Sequence, residues 1–326
     1  MRAIRFHEIG GPEVLKYEEA PDPSPGPGEV LVRVRAAGVN YADTMFTRGR
    51  YFLQPRFPQT PGLEVAGEVV TAGEGVNGFA PGDRVMAALA NAGGYAELAV
   101  VPAQHLTRIP AGLGWAQAAA LPVQAVTADH VLFLAGRLQP GETVLVHAAA
   151  GGVGVMLVQM AALAGARVVA TASTEEKRQL ARALGADVTI DYTKPGWADA
   201  VREATDGRGA DVICEMVGGD VFAQSLRCLA LWGRLVVFGV AGPETPSLNP
   251  AALMRLNQTV VGYYLTTAME RGEVMAPTHE RIFRALESGR LRIVVGETAP
   301  LSAAADVHRR MVARETTGKL VLVPDA

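Results

Sequence analysis

Thr143-Val-Leu-Val-His-Ala-Ala-Ala-Gly-Gly-Val-Gly154 is the stretch that decides the fold. Thr143 to His147 reads as a buried strand, and the apolar run from Val153 to about Ala164 reads as a helix. A glycine-rich turn joins them. Such a unit holds a dinucleotide pyrophosphate, because glycines let the backbone approach phosphates and a helix N-terminus offers N–H groups at the positive end of its dipole. The spacing Ala149-x-Gly151-x-x-Gly154 is the dinucleotide fingerprint with alanine in place of its first glycine. The phosphate-side residues are therefore Ala149, Ala150, Gly151, Gly152, Val153 and Gly154. The plain alternative is a tight turn that binds nothing; the strand before it and the helix after it weigh against that.

Downstream, strand and helix patterns alternate through Arg167–Thr171, Thr174–Leu184, Val188–Ile190, Ala198–Ala204, Ala210–Glu215, Phe222–Leu229 and Arg234–Gly239. Alternation with short loops predicts an α/β fold, a doubly wound parallel sheet with helices on both faces. Ligands meet such a sheet at the carboxyl ends of its strands, which adds Val217, Phe238, Gly239 and Val240 to the cofactor site. Upstream, Trp115–Leu121 and Ala125–Leu134 read as two helices. Before them, period-2 stretches such as Glu29–Ala37 and turn clusters such as Pro21–Gly28 predict a compact, irregular β domain. The tail holds a helical stretch, Glu280–Ser288, and a strand beginning at Gly318 that has nothing local to pair with. It is expected to return to the first domain's sheet. The expected division is 1–120 plus 262–326 for the β domain and 121–261 for the parallel-sheet domain.

The chain has 326 residues, 49% of them hydrophobic, enough for two buried cores. A net charge of −3 without a basic stripe gives no electrostatic footprint for nucleic acid or an anionic membrane. Cys214 and Cys228 suit a reduced compartment and cannot form a four-cysteine zinc site. The first residues lack the apolar core of a signal peptide, and Gly165 and Arg167 break the apolar run Leu157–Ala170. A soluble cytoplasmic protein is expected.

The chain resembles the zinc-independent quinone oxidoreductase branch (ζ-crystallin-like) of the medium-chain dehydrogenase/reductase superfamily. The pieces that carry the resemblance run over nearly the whole length. They are Gly11-Pro-Glu-Val-Leu15, Pro25-x-Pro-Gly-Glu-Val-Leu-Val32, Gly38-Val-Asn-Tyr-Ala-Asp43, Gly82-Asp-Arg-Val85 and Gly93-Gly-Tyr-Ala-Glu97. Further matches are Pro110-x-Gly-Leu113, Ala148–Gly154, Leu184-Gly-Ala-Asp187 and Gly233-Arg-Leu-Val-Val-Phe-Gly239. The resemblance implies a Rossmann sheet inserted in a GroES-like β-barrel catalytic domain. One departure is Ala162, where the family favours a basic residue or serine.

Zinc-dependent relatives place a cysteine ligand where this chain has Asn40 and a histidine where it has Leu63. Catalytic zinc needs about three Cys, His or carboxylate ligands. The first domain has no cysteine, and His7 and His105 sit in unrelated patterns. No metal is expected. An alcohol must lose a proton as it loses hydride, and zinc makes that proton acidic, so without zinc oxidation of a simple alcohol is disfavoured; reduction of an activated acceptor needs less help.

NAD-specific sites place an acid about twenty residues beyond the glycine turn. Here the second strand ends Val169-Ala-Thr-Ala-Ser173, followed by Lys177. Ser173 and Lys177 leave room and charge for a 2′-phosphate, so the cofactor is expected to be NADPH; Glu175 and Glu176 would oppose it only if they pointed inward. The resemblance adds Tyr192 on the phosphate side, Tyr263 and Leu265 near the nicotinamide, and Lys319 as a further cofactor contact.

For catalysis the resemblance points to Asn40, Tyr51 and Thr127. Asn40 either bonds the nicotinamide ribose or orients the acceptor. Asp43 is read as structural, holding the loop through a backbone bond. Tyr51 either gives an O–H to the developing oxyanion or forms an aromatic wall, and Met45 stands where relatives often carry a second tyrosine. Thr127 either contacts the nicotinamide or bonds its own backbone. The expected activity is NADPH-dependent reduction of quinones or related electron-poor carbonyls. The alternatives are an enoyl or alkenal double-bond reductase and a low-turnover NADPH-binding regulatory protein. A homodimer is expected, with the apolar Leu235–Val240 strand as a pairing edge.

Overall fold

The computed structural model describes residues 1–325. The chain divides into two units, Gln124–Arg292 and the combination of Met1–Val123 with the segment from Ile293 onward.

In the second unit, the order across the sheet is Val188–Ile190, Arg167–Thr171, Thr143–Val146, Ala210–Glu215, Leu229–Val237, Thr259–Gly262, with every pair parallel. Counted along the chain this is 3-2-1-4-5-6, the doubly wound order. Val144, Leu145, Val146, Val168, Val169, Val212, Ile213, Leu235 and Val236 are all buried, as strands covered on both faces require. The sheet edge is Thr259–Gly262, so the expected edge at Leu235–Val240 lies inside the sheet. That last strand is only four residues long and follows a loop, which hid it.

The expected boundary at residue 261 also moves. Helices Leu265–Met269 and Gly272–Glu287 belong to the second unit. The reason is specific: Thr278 and Arg281 bond Asp129, and Thr278 also bonds His130. The two helices expected around residue 120 form one continuous helix, Trp115–Ala135, with wide π turns at Leu121–Ala125 and His130–Ala135. Pro122 lacks an N–H, and a wide turn accommodates it without ending the helix. By length and composition alone this helix passes for a membrane span, yet most of it is buried within the protein.

The first unit is built on Glu29–Val39. Val30, Val32 and Val34 point inward while Arg33 and Arg35 are exposed, the period of a half-buried strand. Glu64–Ala72 and Leu98–Pro102 pair with it antiparallel. The strand Lys319–Val323 also pairs with it, antiparallel at Val39, Gly38 and Ala37, and carries Val295–Pro300 on its other side. The C-terminal strand thus returns to the N-terminal sheet. Phe6, Phe46, Tyr95, Val65, Val85, Val101, Leu320 and Leu322 share its core.

Candidate functional site

The nucleotide half is assembled at the strand ends of the second unit. After Val146 the chain turns through Ala148, whose φ of 49° is left-handed, and Gly151 N–H donates to the Ala148 carbonyl at 2.8 Å. Gly151, which has no side chain of its own to cap with, is the N-cap of the helix Gly152–Leu163. A Cβ on Gly154 would collide with the backbone of Ala148 and Ala149. This glycine therefore lets the helix pack on the strand end. A Cβ on Gly152 would collide with the Gln124 amide, a neighbour that the motif gave no sign of. Ala149 and Ala150 are buried, and Ala149 N–H bonds the Thr171 carbonyl at 3.1 Å, so the first fingerprint position serves sheet packing. The left-handed residue is its neighbour Ala148. This cradle, with N–H groups at the end of a twelve-residue helix, suits a pyrophosphate.

At the end of the second strand, Ser173 and Lys177 are half-buried, and the Thr174 hydroxyl caps the following helix by accepting from Lys177 N–H at 3.3 Å. Glu175 pairs with Arg178 at 3.0 Å and with Arg182, and these guanidinium groups hold its carboxyl below the usual range. Glu176 is exposed. Neither acid occupies the strand end itself. Arg178, which sequence reading passed over, bonds Asp191 at 3.2 Å and the Ala172 carbonyl at 3.2 Å, tying this strand end to Tyr192's neighbour. Tyr192 packs against the second unit's core.

At the fourth strand end, Glu215 is buried and its Oε1 accepts from Val217 N–H at 2.8 Å and Gly218 N–H at 3.0 Å. Burial pushes its carboxyl up, and Oε2 has no partner among the described residues. Phe238, Gly239 and Val240 are half-buried at the fifth strand end, and Ala241 and Gly242 N–H groups bond the Met216 and Val217 carbonyls at 2.8 and 2.7 Å. At the sixth strand end, Tyr263 N–H bonds the Val237 carbonyl at 2.8 Å, and Leu265 opens the next short helix. The Tyr263 hydroxyl lies 2.8 Å from His130 Nδ1 and is hydrogen-bonded by Thr127. The structure thus brings Thr127 and Tyr263 together.

The first unit contains the residues expected to face the acceptor. Asn40 Nδ2 donates to Glu64 Oε1 at 2.9 Å, and Asn40 Oδ1 accepts from Lys319 Nζ at 3.0 Å. Lys319 also pairs with Glu64 and donates to the Val39 carbonyl at 3.0 Å. Lys319 is 1% exposed and Glu64 0%. The reading of Lys319 as a cofactor contact is therefore revised: its ammonium is spent inside the first unit on a carboxylate, an amide and a carbonyl. Burial lowers its pKa while Glu64 pulls the other way. Gly38 leaves the space this needs, since a Cβ there would lie 2.6 Å from both Lys319 Cε and Glu64 Oε1. Glu64 Oε2 accepts from Val123 N–H at 2.8 Å.

Asp43 holds the turn as expected, accepting from Asn40 N–H at 2.8 Å. It also accepts from Tyr95 at 3.0 Å, and the Tyr95 hydroxyl meets His308 Nε2 at 3.1 Å. Burial pushes Asp43 up to about 7 and His308 down to about 3. Tyr51 is half-buried against the first unit's core with its ring 5.9 Å from Phe52, the wall-like arrangement. Among the described residues, no three His, Cys, Asp or Glu side chains are grouped to hold a metal.

Comparison with known proteins agrees with both halves. The family model described as a zinc-binding dehydrogenase matches residues 152–280, and that described as an alcohol dehydrogenase GroES-like domain matches 26–111. A quinone oxidoreductase of Pseudomonas aeruginosa is 39% identical, over 99% of each chain. The chain belongs to the quinone oxidoreductase branch of the medium-chain dehydrogenase/reductase superfamily. A Pseudomonas syringae quinone oxidoreductase superposes with a TM-score of 0.94 at 36% identity, covering 99% of both chains. The Escherichia coli quinone oxidoreductase, solved in complex with NADPH, gives 0.94 at 31% identity over 99% of this chain and 100% of its own.

Proposed function

We propose that this protein is an NADPH-dependent reductase of quinones and related electron-poor carbonyls, working without a metal. The observation that carries the reading is the end of the second strand. No acid occupies it, Ser173 and Lys177 stand there, and Glu175 is drawn into ion pairs with Arg178 and Arg182. A 2′-phosphate is accepted at such a site, whereas a bare ribose gains nothing from the lysine. The quinone oxidoreductase relatives, and the NADPH complex of one of them, support the same reading.

The chemistry such a cofactor supplies is a hydride, which with one proton converts a quinone to its hydroquinone. The chain's own work is positioning. The helix N-terminus at Gly151–Val153 holds the pyrophosphate, with Gly154 keeping the helix close. Lys177, Ser173 and Tyr192 take the 2′-phosphate. Val217, Phe238, Gly239, Val240 and Leu265 line the nicotinamide side of the strand ends. Tyr51 bounds the acceptor. Asn40, held by Glu64 and Lys319, fixes the backbone turn on which the first unit's site loop begins.

The test is turnover with a panel of quinones, enals and enoyl thioesters, with NADPH and NADH and with chelator present. Quinone reduction by NADPH, unchanged by chelator, is expected; turnover confined to alkenes or abolished by chelator overturns the reading. Lys177→Ala is expected to weaken NADPH about tenfold to a hundredfold, the worth of a charge-assisted bond, and to leave NADH unchanged. Equal losses for both cofactors remove the phosphate role. The same reading includes a homodimer. Trp232 is 66% exposed and lies in the strand that pairs with the edge strand Thr259–Gly262; Met254 is 76% exposed and lies shortly before that edge strand in sequence. The oligomeric state in solution checks it.

A further inference from the structure

The second unit contains a line of polar groups that hydride transfer does not call for. Asp129 is 1% exposed on a largely apolar helix. Arg281 grips it with two bonds, Nε to Oδ1 at 2.9 Å and Nη2 to Oδ2 at 2.6 Å. Thr278 Oγ1 lies 2.9 Å from Asp129 Oδ2, 3.1 Å from Arg281 Nη2 and 2.9 Å from His130 Nε2. His130 Nδ1 lies 2.8 Å from the Tyr263 hydroxyl, which Thr127 also bonds.

Donors and acceptors along this line can be assigned by counting protons. A carboxylate held by a guanidinium only accepts. Thr278 has one O–H, and it goes to Asp129. Thr278 can therefore only accept from His130, so the histidine carries its proton on Nε2. A neutral imidazole protonated there presents a lone pair on Nδ1. Tyr263 must give its single O–H to that lone pair. The phenol oxygen then has lone pairs to offer and no proton. Burial keeps His130 low and Tyr263 high, so both stay neutral in this arrangement.

Tyr263 stands at the carboxyl end of the sixth strand. In a doubly wound sheet the pyrophosphate sits at the helix after the first strand and the adenosine ribose at the end of the second, so the other mononucleotide lies over strands four to six. We propose that Tyr263 is an obligate hydrogen-bond acceptor for the carboxamide N–H of the nicotinamide, and that Asp129, Thr278 and His130 are positioning residues that keep it so. It rests on the NADPH reading above. Tyr263 consequently does not protonate the quinone.

The test compares NADPH with its reduced 3-acetylpyridine analogue, which keeps the carbonyl and lacks the N–H donor. Binding is read by cofactor fluorescence and turnover with one quinone. Tyr263→Phe is expected to weaken NADPH by about fivefold to tenfold, one hydrogen bond, and to leave the analogue unchanged. Thr278→Val strips His130 Nε2–H of its acceptor and should shift the same ratio in the same direction, with Thr278→Ser restoring it. In a Tyr263→Phe background, Thr278→Val should move the ratio no further. Equal losses for both cofactors in Tyr263→Phe, or no loss, overturn the proposal alone. Absence of NADPH binding by the unmodified protein overturns the functional reading and the proposal together.

Discussion

Lys319 and Glu64 in the first unit bury full charges and, with Asn40, turn their hydrogen bonds on one another. In the second unit, Asp129, Thr278, His130 and Tyr263 pass hydrogen bonds in single file from the exposed Arg281 to a strand end. The first arrangement holds a strand in place: Lys319 opens the C-terminal strand and Glu64 opens the strand two places away across the sheet. The second fixes the direction in which one phenol can bond. Buried charge is suited to the first purpose because its removal is costly; a line that starts at a charged pair and continues through a neutral hydroxyl, imidazole and phenol is suited to the second because each member's proton determines the next.

The comparison breaks most visibly at Lys319. Lys319→Met leaves Glu64 as a buried carboxylate without its cation, a loss of about 4 kcal/mol. Unfolding in urea followed by circular dichroism checks it, and Glu64→Leu added to Lys319→Met should return most of the loss. A single-variant loss below about 1 kcal/mol would mean that the pair is not structural.

A second test uses acid. Burial holds His147 at about 4 in the folded protein, against 6.5 unfolded, while it bonds Thr171 and Ser225 at 2.9 Å each. A depressed folded pKa gives stability that is complete above pH 6.5 and is lost as pH falls through about 4, at up to about 1.4 kcal/mol per pH unit. His130 and His279 are lowered in the same sense within the second unit, with Glu215 opposing. In the first unit, His308 is lowered and Asp43 raised, so their slopes cancel between about pH 4 and 6.5. Acid should therefore loosen the second unit first. Hydrogen-exchange protection measured from pH 7 to 4.5 checks the order, and His147→Gln should narrow the gap.

The smallest expected effect concerns the opening stretch. Ala148 holds φ at 49°, a region that costs a residue with a Cβ. Ala148→Gly should raise stability by about 0.5–1 kcal/mol by thermal unfolding, with the NADPH affinity unchanged. Destabilisation would show that the Ala148 methyl packs usefully.

The parallel sheet was legible because its signals are local. The strand, the glycine turn and the helix at 143–164 lie within about twenty residues, and the alternation after them repeats the pattern. The returning C-terminal strand was legible from its want of a local partner. What escaped lay far apart in sequence. Glu64 and Lys319 are separated by 255 positions, and Arg281 lies 152 from Asp129. A signal for the second did exist. Asp129-His130 interrupts the apolar run Ala125–Leu134, and adjacent polar groups on a buried helix demand partners from elsewhere. The continuous apolar run that follows Lys319, Leu-Val-Leu-Val, gave a similar hint, that its lysine sits on a core strand. The family likeness hid this by offering a cofactor for it.

The return of Lys319–Val323 to Glu29–Val39 also orders events during synthesis. Domains fold as their residues emerge from the ribosome, N-terminal ones first as a rule. Here the rule reverses. Residues 124–292 are complete, and free to form their sheet, while Glu29–Val39 still lacks its C-terminal neighbour and Glu64 its cation. The unit that is translated first is the one that must wait.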